Sequence, residues 1–171
     1  RLADGLNPAW SASARALRYE PIVTAYLRDA NLQTRQPMVL LPSNQAAALA
    51  PAQFAFDLGT LHGHDRSAGL WAWVASSAAA ALEGGLHACG QAMLAQARSA
   101  FPGHFTGPDA EVLVHLTAER RATFACTPAL RRPSARIQPT LAAAGDYIEG
   151  PYPATLEGAV RSGLAAAQAM T

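Results

Sequence analysis

With 171 residues, half of them hydrophobic and only 15% charged, the chain holds enough apolar material to bury a core of its own. A formal charge of +1 and two short arginine pairs, Arg120-Arg121 and Arg131-Arg132, exclude a nucleic-acid partner, and the pairs read as a solvated edge. Cys89 and Cys126 are too few for a disulfide framework and stand in no metal-ligand spacing, which points to free thiols in a reducing compartment. The start of the chain shows no signal-peptide pattern, and the alanine-rich stretch from Gly69 to Leu82 is too short and too weakly apolar to span a bilayer.

In chain order, the polar segment from Arg1 to Ser13 reads as loop or short helix. Tyr19 to Leu27 reads as a strand, with Pro21 near its start where an edge tolerates it, and Asp29-Ala-Asn31 as a turn. Pro37 to Leu41 forms a short apolar strand closed by Pro42-Ser43-Asn44, and Ala46 to Ala52 is a helical turn or loop. Gln53 to Leu58 and Leu70 to Ala75 pair as a hairpin across turn chemistry from Gly59 to Gly69. The period of two puts Phe54 with Phe56, and Trp71 with Trp73, each on one face; either face suits an apolar cavity, and plain core is the simpler reading.

From Ala78 to Phe101 the period becomes helical, beginning in earnest after Gly85 and stopped by Pro102-Gly103. Asp109 to Cys126 reads as one long strand, or as two broken at Glu119-Arg120-Arg121, with Val112, Val114 and Leu116 on one face. Thr127 to Gln138 is a basic, proline-bearing connection. His62-x-His64 lacks a third metal ligand, and His87, His104 and His115 fall on unrelated elements, so no metal site is assigned. Ser76-Ser77 lacks a nucleophile elbow, so no catalytic residue is assigned either. The fold class expected is α+β: a mainly antiparallel sheet with a long helix over residues 1–138, then a terminal strand-helix unit over 139–171.

That terminal unit carries the chemistry. A short apolar run ends at Gly145-Asp146, a Pro/Gly-rich turn follows, and a helix rich in small residues comes next. Asp146 can accept hydrogen bonds from sugar or sugar-alcohol hydroxyls, and Gly145 permits close backbone approach. Pro153 suits a first helical turn, so the helix is expected to start near Tyr152 or Pro153 and to leave N–H groups at Ala154, Thr155 and Leu156 free for an anion. Gly158, Ser162 and Ala166, with Ala159 and Gly163 beside them, make a flat face that expects a partner. On pattern alone an ordinary turn before an ordinary packed helix explains the stretch equally well.

Ala144-Gly-Asp146 followed by Tyr152-Pro-Ala-Thr-Leu-Glu-Gly-Ala-Val-Arg-Ser-Gly163 resembles the C-terminal flavin-binding signature of the FAD-dependent amine oxidase and desaturase superfamily. Its wording is most similar to the squalene-associated FAD-dependent desaturases, also called hydroxysqualene dehydroxylases. Leu17 to Ile22, Phe54 to Asp57 and Arg121 to Pro128 fit the same family in the same order, and Leu164 departs from it where relatives commonly carry arginine.

The resemblance implies redox chemistry on FAD, with reductive removal of an allylic hydroxyl to give squalene. Gly145, Asp146, Tyr152, Pro153, Ala154, Thr155 and Leu156 would form one wall of the cofactor site. Asp146 would hold the ribityl or pyrophosphate region, and Tyr152 would flank the ring. The Gly-x-Gly-x-x-Gly fingerprint of the other wall is missing, since Gly84-Gly85-x-x-x-x-Gly90 has the wrong spacing and follows no suitable strand. The chain therefore reads as the C-terminal part of a larger flavoprotein, without FAD when alone.

The partners implied are the N-terminal FAD-binding half, an apolar isoprenoid substrate, a peripheral membrane contact within the cytoplasm, and self-association through the last helix. A second reading, a non-catalytic apolar-ligand or interaction domain, stays open. An upstream fingerprint in the gene favours the first reading, and a start just before Arg1 favours the second.

Overall fold

A computed structural model describes residues 4–42, 49–63 and 67–170. The chain forms two compact units, Glu20–Ala122 and a second made of Arg1–Tyr19 with Thr123–Thr171. The unit that holds the final helix thus draws in the first residues of the chain as well as 139–171.

The unit Glu20–Ala122 is built on a five-stranded sheet of β1 (Tyr19–Arg28), β2 (Met38–Leu40), β3 (Phe54–Asp57), β4 (Leu70–Ala75) and β5 (Leu113–Phe124), in the order β2-β3-β4-β1-β5. β2 with β3, β3 with β4, and β4 with β1 are antiparallel. The alternating burial along β1 puts Val23, Ala25 and Leu27 into the core. Asp29 closes this strand by accepting the N–H groups of Asn31 and Leu32 at 2.8 and 2.9 Å, the expected turn.

The β3–β4 register pairs Phe54 with Val74 and Phe56 with Ala72, so the two aromatic pairs lie on opposite faces. Trp71 and Trp73 are fully buried, and Trp73 meets Phe101 and Phe105 edge-on at 6.1 Å each. On that side packs α3 (Leu86–Ala100), burying Cys89, Met93, Leu94 and Ala97. Gln96 grips the Ala52 backbone, its side-chain amide donating to the carbonyl at 2.8 Å and accepting the N–H at 2.9 Å. The long helix starts after Gly85 as expected, preceded by a 3-10 turn at Ala80–Leu82.

Two local readings are corrected. The connection of the hairpin contains a short helix, α2 (Leu58–His62), because the Asp57 carboxylate caps it by accepting from Thr60 N–H at 3.1 Å. Residues 109–112 are helical rather than extended: α4 (Asp109–Val112) follows Pro108, carries Asp109 and Glu111 in its first turn and buries Val112. β5 then runs unbroken through Glu119-Arg120-Arg121, with Val114 turned outward. Ser43, Asn44, Ala46 to Ala48 and His64 lie outside the described residues.

The other unit opens with α1 (Pro8–Arg15), capped by the Asn7 side chain, which accepts from Trp10 N–H at 3.0 Å. Asn7 also donates to Ile137 O at 2.9 Å, and Trp10 Nε1 donates to Ser134 O at 2.7 Å, so the first helix is tied to residues more than a hundred positions on. The expected basic connection contains a strand, β6 (Arg136–Gln138), paired antiparallel with the two-residue β7 (Leu141–Ala142). The last element is α5 (Leu156–Gln168). Among the described residues no helix is long and apolar enough to cross a membrane.

Candidate functional site

The β6–β7 ribbon delivers the chain to Gly145, at φ +154°, whose N–H donates to Ser162 Oγ at 3.2 Å. A side-chain carbon at Gly145 would stand 2.5 Å from the Tyr147 ring, so this position accepts only glycine without rearrangement. From Asp146 the chain turns back, and Ala154 N–H donates to Asp146 O at 3.4 Å, bringing the Gly-Asp turn beside the start of α5.

That start differs from the sequence expectation. The helix begins at Leu156, not at Tyr152 or Pro153, and Thr155 is its N-cap: Thr155 Oγ1 accepts from Gly158 N–H at 3.0 Å and donates to Tyr152 O at 2.7 Å. Tyr152 and Ala154 sit at φ +58° and +56°, a left-handed zigzag around Pro153 that no helix can include. The Ala154 N–H is therefore spent inside the turn. The helix N-terminus offers instead the N–H groups of Leu156 and Glu157, which precede the helical ladder. A hydroxyl amino acid immediately before the first residue of an apolar helical period, Thr155 before Leu156, is an N-cap signal, and it outweighs proline as a helix start here.

The small-residue face of α5 is turned inward over part of its length. A side-chain carbon on the buried Gly158 would lie 2.2 Å from Tyr152 O, and Ser162 is engaged with Gly145, while Gly163 has open space beside it. Leu156, Val160 and Leu164 project outward instead, exposed by 88, 59 and 62%.

Arg132, read from the sequence as part of a solvated edge, is the clasp of this turn. Nη1 donates to Asp146 O at 3.2 Å and Ile148 O at 2.6 Å, and Nη2 donates to Gly150 O. Its guanidinium lies 5.9 Å from the centre of the buried Phe124 ring. Burial pushes the neighbouring Tyr147 phenol up, with smaller contributions from Tyr19 and the Asp146 charge. Tyr152 is half exposed beneath the Arg161 guanidinium, 5.0 Å from its ring centre, and Arg161 Nε donates to Glu157 at 2.5 Å.

The fit of this turn to a dinucleotide cofactor rests on what it leaves unspent. The Asp146 backbone is held by Arg132 and Ala154, yet its half-buried carboxylate makes no hydrogen bond to a described residue. A free carboxylate beside a helix N-terminus with two free N–H groups suits a ligand carrying both hydroxyls and negative charge. Two hollows flank the turn, one of about 700 Å³ along Arg131, Arg132 and Glu149 and one of about 440 Å³ between residues 148–151 and α5. Neither is lined by Asp146 or Thr155, so these residues present an open wall, not a closed pocket.

In the unit Glu20–Ala122, the sheet face opposite α3 carries two rungs, Leu40-Phe54-Val74-Thr24 and Met38-Phe56-Ala72-Tyr26. Leu40 is 72% exposed and Met38 half exposed, with the Phe54 and Phe56 rings 6.4 Å apart behind them. Of the aromatic pairs, the tryptophans are core and the phenylalanines belong to this apolar face. His87 and His115, expected on unrelated elements, line one hollow of about 430 Å³ with Gln91 and Asp109. Cys89 is buried, which raises its thiol pKa, and Cys126 is exposed.

Residues 88–171 match the sequence profile of the flavin containing amine oxidoreductase family. The match covers the long helix, β5, the Arg132 clasp, the Gly145-Asp146 turn and α5. It supports a flavin oxidoreductase and does not distinguish among substrates. No curated protein matches the chain.

Proposed function

We propose that the chain is the substrate-binding and cofactor-wall portion of an FAD-dependent oxidoreductase that removes the allylic hydroxyl of hydroxysqualene to give squalene. The observation that carries the flavin part is the unspent Asp146 carboxylate beside the Thr155-capped start of α5, within the segment that matches flavin containing amine oxidoreductases. The choice of an isoprenoid is supported by the apolar Met38, Leu40, Phe54 and Phe56 face and by the resemblance of Tyr152 to Gly163.

When bound and reduced, the flavin would supply the hydride that replaces the hydroxyl, which would take up a proton and leave as water. Asp146 would accept a hydrogen bond from a hydroxyl of the cofactor's ribityl chain, and Gly145 would keep the backbone beside it bare. The N–H groups of Leu156 and Glu157, backed by the helix dipole, stabilise negative charge on the cofactor. The phenylalanine face takes up the hydrocarbon away from water. Leu156, Val160 and Leu164 meet the N-terminal FAD-binding half, in place of the small-residue face assigned from the sequence.

The test is to produce the chain joined to its upstream coding sequence, look for bound FAD, and supply hydroxysqualene with a reductant. Squalene detected by mass spectrometry is the expected product. Protein that binds squalene-like hydrocarbons but never flavin would instead establish the apolar-ligand domain.

A further inference from the structure

We propose that Arg132 is a positioning residue of the cofactor wall, holding the Asp146–Gly150 backbone so that the Asp146 carboxylate stays free to face the ligand; this rests on the flavin reading above. Carbonyls of alternate residues, Asp146, Ile148 and Gly150, converge on one guanidinium. Arginine can serve all three because its N–H groups form a rigid fork, which an ammonium group does not have. The back of the fork rests over Phe124, only 2% exposed, so the clasp has a fixed base.

Besides the clasp, the loop is held by the buried Ile148 side chain and by three backbone hydrogen bonds. Glu149 N–H donates to Pro133 O at 2.9 Å, Ile148 N–H to Gly145 O at 3.2 Å, and Ala154 N–H to Asp146 O at 3.4 Å. Arg132 reaches the carbonyl of Asp146 and not its carboxylate. A clasp that only neutralised Asp146 would take the carboxylate, since a charge-assisted pair is the stronger bond. Taking the carbonyl fixes the backbone and leaves the side chain available.

Two measurements test this. In the 171-residue chain, Arg132→Met and Arg132→Lys should each speed hydrogen exchange at the Glu149 and Ala154 amides about tenfold, with core amides of β4 unchanged. In the flavin-loaded protein that includes the N-terminal half, Arg132→Met should weaken FAD binding about tenfold, but by less than about twofold once Asp146 is already alanine. If Arg132→Met prevents loading, Arg132→Lys carries the same cycle.

Equal weakening in both backgrounds, or none where Asp146→Ala does weaken FAD, would overturn the positioning role and leave the cofactor wall standing. Unchanged exchange at both amides would overturn it too. If Asp146→Ala itself leaves FAD affinity untouched, the cofactor wall is wrong and the role of Arg132 falls with it.

Discussion

A carboxylate that accepts several backbone N–H groups serves the fold better ionised than neutral, and Asp29 is in that position. It takes Asn31 and Leu32 through Oδ1 and Phe105 through Oδ2 at 2.6 Å, with His104 Nδ1 at 3.3 Å. Burial alone would raise its pKa, but the N–H groups of Phe105, Asn31 and Leu32, with His104, outweigh it and hold the carboxyl below the ordinary 3.8. A depressed folded pKa means a contribution fully present above 3.8 and lost as the pH falls through the lower folded value. Asp29→Ala should therefore destabilise the protein by about 2–4 kcal/mol at neutral pH, leaving three N–H groups unserved. The gap should narrow when denaturant unfolding is repeated near pH 3, and a gap of the same size there would show that the charge is not what those groups hold. Asp29 was legible as a turn residue because its partners are two and three positions away. Its bond to Phe105 was not, because 76 residues separate the two.

The same division between local and distant explains which elements the sequence disclosed. Strands β1, β3 and β4 and helix α3 announce themselves by period, since each buries one side of a regular surface, and β2 by its unbroken apolar run. β6 did not, because three residues flanked by proline carry no period, and Arg132 did not, because its ligands are carbonyls and any residue has one. For α5 the period was right, and flatness has a local cause over part of the face: Gly158 is small because Tyr152 O lies against it, while Gly163 has open space beside it. Gly158→Ala should cost about 1–3 kcal/mol and disturb the turn, whereas Gly163→Ala, with open space beside it, should be neutral or slightly stabilising. Equal thermal shifts in the two variants would contradict this packing. The outward stripe of Leu156, Val160 and Leu164 makes a second claim at this scale. As one contiguous apolar surface it should drive self-association of the chain at high concentration, and Val160→Glu should reduce it. Sedimentation showing wild type and variant equally monomeric would remove the stripe from the account.

At the scale of the molecule the question is how much of a cofactor site one wall can supply. The contacts available from this chain are the Asp146 carboxylate and the N–H groups of Leu156 and Glu157. At about 1.5–3 kcal/mol for each hydrogen bond involving a charged group, they amount to roughly 4–9 kcal/mol before any cost. Lost translational and rotational freedom consumes about 4–15 kcal/mol on association, so the net runs from about 5 kcal/mol favourable to about 11 unfavourable. A dissociation constant of about 1 mM already requires about −4 kcal/mol, so even the most favourable balance lets FAD bind the 171-residue chain no tighter than about 0.2 mM, too weakly to survive gel filtration. The purified chain should be colourless after gel filtration, with flavin retained only when the N-terminal half is present. Because the limit comes from the number of contacts and not from their quality, rigidifying the turn should not rescue binding. A stoichiometric flavin absorption band that survives gel filtration of the chain alone would mean that this chain holds far more of the cofactor than Asp146 and the start of α5 can account for.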